Sequence, residues 1–175
     1  IQANYIGADV HGNPTLGNVE SGVFVNGSAS NIIGGTGVGE GNLIAGNGAS
    51  GILVRWLSAI GNAITGNSIH SNAGLGLALE TETVWVNDPG DPDHGCNDLQ
   101  NYPVLSAING GATDTTVEGW LDSLPNQNFR LEFFSNTSCD GSAHGQGESL
   151  LGTVNVTTDG VGYATFNQTF PNTVP

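Results

Sequence analysis

Two thirteen-residue stretches, "NLIAGNGASGILV" from Asn42 to Val54 and "NSIHSNAGLGLAL" from Asn67 to Leu79, carry one pattern at a constant offset of 25 residues. Asparagines 42 and 67 coincide, as do 47 and 72, together with Gly51 and Gly76 and the aliphatic pairs 44/69, 52/77 and 54/79. A looser copy opens the chain. "NYIGAD" (Asn4–Asp9) matches "NLIAGN", "GVFV" (Gly22–Val25) matches "GILV", and Ile1 is in register with Ile33 and Ile64. The excess residues fall in "VHGNPTLGN" and the glycine-rich "GTGVGE", as loops leaving a fixed core would. Self-similarity at a fixed period defines a repeat architecture, in which each unit buries its apolar face only against its neighbours.

Inside each repeat the apolar residues alternate, Ile52 and Val54 against Leu53 and Arg55, which is the period of a strand. No stretch keeps a helical period. Short strands in so small a unit predict a parallel solenoid with coils about 4.8 Å apart. Stacking then makes columns: Ile6, Ile44 and Ile69 inside, with Val23/Ile52/Leu77 and Val25/Val54/Leu79 beside them. Asn4, Asn42 and Asn67 are expected to form one amide ladder, and Asp9, Asn47 and Asn72 a second polar column. On the outer face Arg55 and Glu80 are expected to pair as a surface bridge worth about 0–1 kcal/mol.

Through "NYIGAD", "SASNIIGG", "GNLIAGNGASGILV" and "GNAITGNSI" the chain resembles the right-handed parallel β-helix repeats of secreted bacterial proteins in the pectin-lyase-like group. Its tail, from "NDPGDPDHGCNDLQNYPVL" through "LEFFSNTSCDGSAHGQGESLLGTVNVTTDGVGYATF", resembles that group's appended immunoglobulin-like module. The resemblance implies an all-β chain: a short right-handed β-helix of about three coils over residues 1–86, an acidic junction over 87–103, and an incomplete immunoglobulin-like β-sandwich over 104–175. It implies an extracellular or cell-surface location. Activity it leaves open, because this fold hosts lyases, hydrolases, adhesins and structural modules alike.

Strand signals in the tail cover Thr115–Leu121, Phe129–Phe134, Leu150–Thr157 and Tyr163–Phe170, with turn formers between. Both modules are expected to be unfinished, so the chain is either a fragment or a subunit whose ends complete one another.

A net charge of −14, with no lysine and two arginines, excludes electrostatic capture of nucleic acid or of an anionic membrane surface. It suits divalent cations. Asp88, Asp91, Asp93 and Asp98 lie within a few residues among turn formers and are the candidate ligands for Ca²⁺, the alternative being a solvated linker whose aspartates cap backbone amides. Cys96 and Cys139 are expected to form a disulfide, with two buried thiols as the alternative.

An enzyme is the minority reading. β-Elimination needs a basic residue, and Arg55 is committed to Glu80 while Arg130 lies in the other module. Hydrolysis needs clustered carboxylates, and no adjacent coils match them. Alternation points His70 outward as a surface residue. The expectation is therefore a non-catalytic structural or adhesive protein that assembles with itself, as a homopolymer or through further repeats of the parent chain. The alternative is a module that binds or cleaves surface polysaccharide.

Overall fold

A computed structural model describes residues 1–171, all-β apart from one 3₁₀ turn. Of the sandwich expected over 104–175, residues 172–175 lie outside the described residues. Eight short strands come first: β1 (Tyr5–Ile6), β2 (Val23–Asn26), β3 (Ile32–Gly34), β4 (Leu43–Ala45), β5 (Ile52–Arg55), β6 (Ala63–Thr65), β7 (Ser68–His70) and β8 (Leu77–Leu79). They form three parallel sheets, ordered β1-β4-β7, β2-β5-β8 and β3-β6.

The register is the one the repeat dictates. Ile6 pairs with Ile44 and Ile44 with Ile69; Val23, Ile52 and Leu77 align, as do Val25, Val54 and Leu79. Leu77, however, is exposed rather than inside, and Ala78 is the buried residue of β8. Ile44, Ile52 and Val54 are wholly buried and share a core with Val23, Val25, Ile33 and Ile69. At two corners the coils approach too closely for a side chain. A Cβ on Gly7 or Gly34 would lie 2.1 Å from the carbonyl oxygen of Ala45 or Thr65, and both residues have left-handed φ, +81° and +84°.

Amide ladders hold the corners. Asn42 Oδ1 accepts from Asn4 N and Nδ2, both at 3.1 Å, and Asn67 Oδ1 accepts from Asn42 N (3.1 Å) and Nδ2 (2.9 Å). A third ladder, which the sequence reading did not name, runs from Asn31 to Asn62 to Asn97. The second polar column needs correction. Asn18, and not Asp9, stands over Asn47, donating N (3.1 Å) and Nδ2 (2.9 Å) to its Oδ1; Asn47 in turn donates to Asn72 Oδ1. Asp9 turns instead to its own loop, accepting from the amides of His11 and Asn13. Every rung passes on an N–H from its amide, and a carboxylate has none to pass.

The expected Arg55–Glu80 pair is also absent. Sheet pairing between β5 and β8 ends at Val54 and Leu79, and Glu80 takes φ +60°, which removes it from the stacked position. Its carboxylate accepts from the Trp56 amide at 2.9 Å, while the Arg55 guanidinium lies over the Trp56 ring, 5.3 Å from its centroid. The one ion pair among the described residues joins Arg130 and Glu132.

The chain divides into two compact units. The first comprises residues 1–85, 94–99 and 134–150, and the second 86–93, 100–133 and 151 onward, so the stretch 87–103 is shared between them. Within the first unit, the late segments finish the stack. Gln146 Oε1 accepts from Asn72 N (3.0 Å) and Nδ2 (3.1 Å), and its Nε2 donates to the carbonyls of Asn72 and Gly74. Ile69 N donates to Gly147 O, and Ser68 Oγ to Glu148 O. Asn97, in the 3₁₀ segment Cys96–Leu99, ends the third ladder. The expected disulfide is not formed. Cys96 is buried, with Sγ donating to Val54 O and accepting from Glu80 N, whereas Cys139 is exposed; both are free thiols. Burial pushes the Cys96 thiol up to about 11.

Five longer strands follow, β9 (Val104–Gly110), β10 (Asp114–Asp122), β11 (Asn128–Ser135), β12 (Ser149–Thr157) and β13 (Tyr163–Pro171), all in the second unit except the last two residues of β11 and the first two of β12. The sheets are ordered β13-β10-β9, antiparallel, and β11-β12. Residues of both sheets share one apolar cluster: Val117 and Leu121 of β10, Leu131 and Phe133 of β11, Val156 of β12, and Phe166 and Phe170 of β13. The Phe133 and Phe166 rings meet edge to face, 5.3 Å between centroids.

Candidate metal centre

The segment before β9 folds back on itself through a reciprocal set of side-chain amides. Asn87 exchanges hydrogen bonds with the Tyr102 backbone, and Asn101 Nδ2 donates to the carbonyls of Asp88 (2.7 Å) and Asp122 (2.8 Å). Asp88 N donates to Asn101 Oδ1. Gly90 and Asp91 make the turn in left-handed conformation, φ +77° and +55°, and Gly90 N is held by Asp122 Oδ1.

This brings Asp91 inside, 7% exposed. Its Oδ1 accepts from Asn101 N at 3.2 Å, and its Oδ2 from Gln100 Nε2 (2.9 Å) and Ser123 Oγ (2.5 Å). Burial raises its carboxyl above the ordinary 3.8; Ser123 and Asn101 oppose that, and the neighbouring charges of Asp93 and Asp88 add to it.

Asp88, Asp91 and Asp93 each present an oxygen, and the three lie within 4.8 Å of one another. Two carboxylates at that distance repel by about 3 kcal/mol at an effective dielectric of 20. Asp88 Oδ1 is buried and accepts no hydrogen bond. Oxygens sharing one Ca²⁺ at about 2.3–2.6 Å are no more than about 5 Å apart, so this group fits the ion. Asp98 is not part of it. It lies exposed in the Cys96–Leu99 segment, which belongs to the other unit.

The sequence signalled the three aspartates by their crowding. It gave no sign of Ser123, which is wholly buried and 32 residues from the aspartate it bonds. Nor did it single out Gln100 and Asn101, though both stand in the quoted "NDLQNYP".

The first unit has a shallow polar cleft of about 250 Å³, lined among others by His70, Asn136, Cys139, Asp140 and Glu148. His70 sits at its margin with Nδ1 3.0 Å from Ser71 Oγ. Glu148 accepts from Thr137 N (2.8 Å) and Oγ1 (2.9 Å), and the Thr137 backbone donor is the main cause that holds its carboxyl below the ordinary 4.5. Asp140 accepts from Ser142 Oγ (2.6 Å) and N (2.8 Å), which hold its carboxyl below the ordinary 3.8.

No family model matches the chain, and no curated protein sequence matches it.

Proposed function

We propose that this chain is an extracellular, non-catalytic structural or adhesive module. Its first unit is read as a short right-handed parallel β-helix akin to those of secreted bacterial pectin-lyase-like proteins, and its second as an immunoglobulin-like sandwich. The module works by strand addition at the edge formed by β1, β2 and β3. The observation that carries the reading is the state of that edge. Among the described residues β2 has β5 on one side and no strand on the other, and Val23, Phe24, Val25, Ile32 and Ile33 line an open recess of about 470 Å³ beside it. An unpaired, apolar strand edge is a template for further pairing. Its partner is a further unit of the same kind, another copy of the chain or additional repeats.

Negative-stain images and sedimentation of concentrated protein are expected to show end-to-end assemblies. A strictly monomeric particle at high concentration overturns self-assembly. Incubation with acidic polysaccharide and calcium is expected to yield no unsaturated or reducing-end products, and turnover would move the assignment to the polysaccharide-cleaving alternative.

In the second unit, Asp88, Asp91 and Asp93 are proposed to hold Ca²⁺, which neutralises their mutual repulsion and fixes the turn at Gly90. Calcium is expected to raise the melting temperature relative to chelator, and Asp88→Asn to abolish that rise. An equal rise in the variant, or none in the wild type, removes the ion.

A further inference from the structure

The acidic junction spells aspartate–proline twice, as Asp88-Pro89 and Asp91-Pro92. An aspartate can cut the bond that follows it, because its carboxyl oxygen reaches its own carbonyl carbon by closing a five-membered ring. A following proline favours the cut, since its tertiary amide nitrogen takes up a proton and leaves more readily than a secondary one. In a chain without structure this chemistry is slow and treats two such bonds alike.

The fold treats them oppositely. The Asp91 carboxylate is spent: Oδ1 accepts from Asn101 N, and Oδ2 from Gln100 Nε2 and Ser123 Oγ. Its main-chain carbonyl accepts no hydrogen bond from the described residues. At Asp88 both conditions are reversed. The side-chain Oδ1 is buried and accepts nothing. The main-chain carbonyl accepts twice, from Asn101 Nδ2 at 2.7 Å and from Asp91 N at 3.3 Å.

Both donors are fixed. Asn101 is buried, shares Nδ2 with Asp122 O at 2.8 Å, and accepts from Asp88 N through Oδ1 at 3.2 Å. Asp91 N is set by the left-handed turn at Gly90 and Asp91, which Asp122 Oδ1 holds through Gly90 N. Two positioned N–H groups on one carbonyl oxygen make an oxyanion hole, which stabilises the charge that develops there when the carbon is attacked. Pro89, on the leaving side, lies exposed to the solvent that supplies protons and water.

We propose that the chain cuts itself between Asp88 and Pro89. The Asp88 carboxylate adds to its own carbonyl carbon, and Asn101 Nδ2 and Asp91 N hold the tetrahedral oxyanion. The C–N bond then breaks, the Pro89 nitrogen takes a proton from solvent, and a cyclic anhydride remains on Asp88. Water opens the anhydride and restores the side-chain carboxylate beside a new terminal one. The sum is hydrolysis of one peptide bond, with water as the only co-reactant. An ion at Asp88 occupies the same oxygen, so the reaction belongs to the ion-free chain. This activity goes beyond the structural reading above and does not depend on it. The pieces stay together, because Asn97 and Gln146 lie after the cut and still close the ladders on Asn62 and Asn72.

The test incubates the full chain at neutral pH in chelator, folded and in urea, and follows intact mass over time. The folded chain is expected to yield residues 1–88 and 89–175, cut about tenfold or more faster after Asp88 than after Asp91, and to keep eluting as one native particle. In urea, where neither carbonyl is held, the two bonds are expected to break at similar rates. Asp88→Ala is expected to abolish the folded-state cut. Asn101→Ala is expected to slow it about a hundredfold, the usual loss for one oxyanion donor. Pro89→Ala, a change at an exposed position that leaves both donors in place, is expected to abolish the cut while circular dichroism stays native.

A folded chain that remains intact overturns the proposal. So does equal cutting after Asp88 and Asp91 in the folded chain, a folded chain no faster than the chain in urea, or an undiminished cut in Asp88→Ala or Pro89→Ala. A monomeric particle, or no response to calcium, would sink the structural reading while leaving these outcomes untouched, so the failures are distinguishable.

Discussion

The two ends of the parallel stack use the same side chain under different conditions. At the β7–β8 end, Asn72 is 6% exposed and all its polar atoms are engaged, by Ile44 O, Gln146 and Asn47. At the β1–β2 end, Asn18 makes the same kind of rung to Asn47 yet stands exposed, with its oxygen left to solvent. An amide in the closed interior loses a hydrogen bond outright when its partner goes, while an amide at the rim exchanges it for water. Position in the stack, and not residue type, decides what each asparagine contributes.

The sharpest way to break that comparison is to put a charge at each end. Asn72→Asp buries a carboxylate with no donor to pass on and is expected to cost about 3–5 kcal/mol in urea unfolding, against less than about 1 kcal/mol for Asn18→Asp. Equal losses would show that the two ends are alike. Next in size is the cap itself. Gln146→Ala strips partners from Asn72 and from Gly74 O and is expected to cost about 1–3 kcal/mol. A loss no larger than that of Asn18→Ala would mean that residue 146 does not close the stack.

The smallest effect is a pH dependence at the capped end. The folded-state carboxyl of Glu148 lies below its ordinary 4.5, chiefly through the Thr137 amide. A depressed acid contributes stability that is present above pH 4.5 and fades as pH falls through the folded value. The stability gap between wild type and Glu148→Gln should therefore be constant near neutrality and narrow on acidification below 4.5. A gap that widens on acidification would remove Glu148 from the cap.

Much of this was legible in the residues because one offset governs it. The Ile6/Ile44/Ile69 column and the Asn4/Asn42/Asn67 ladder needed only the alignment of repeats. Four tail strands were read to within about a residue or two of β10 to β13, since their alternation is clean. β9 escaped because "VLSAING" buries no face in alternation. Asp9 was set in the second ladder because the insertion shifts the register; Asn18 stands 29 residues before Asn47, as Gly22 stands before Gly51, and that spacing was the available clue. The Arg55–Glu80 pairing failed on a left-handed φ that a glutamate does not advertise. The Cys96–Cys139 bridge failed because Cys96 is buried inside the stack while Cys139 lies exposed at the surface. Of the four aspartates, proximity in sequence united three, and the turn at 94–99 carried Asp98 into the other unit.

The glutamine that closes the second ladder lies 74 residues beyond the asparagine it covers. A chain emerging from the ribosome therefore makes its windings in order but leaves the last one bare until the strands after it have been synthesised. Contacts so distant in sequence form late and slowly, and the uncovered winding is sticky in the meantime. Expression at low temperature, or with a holdase that masks that surface, should recover more native protein than any change inside the windings themselves.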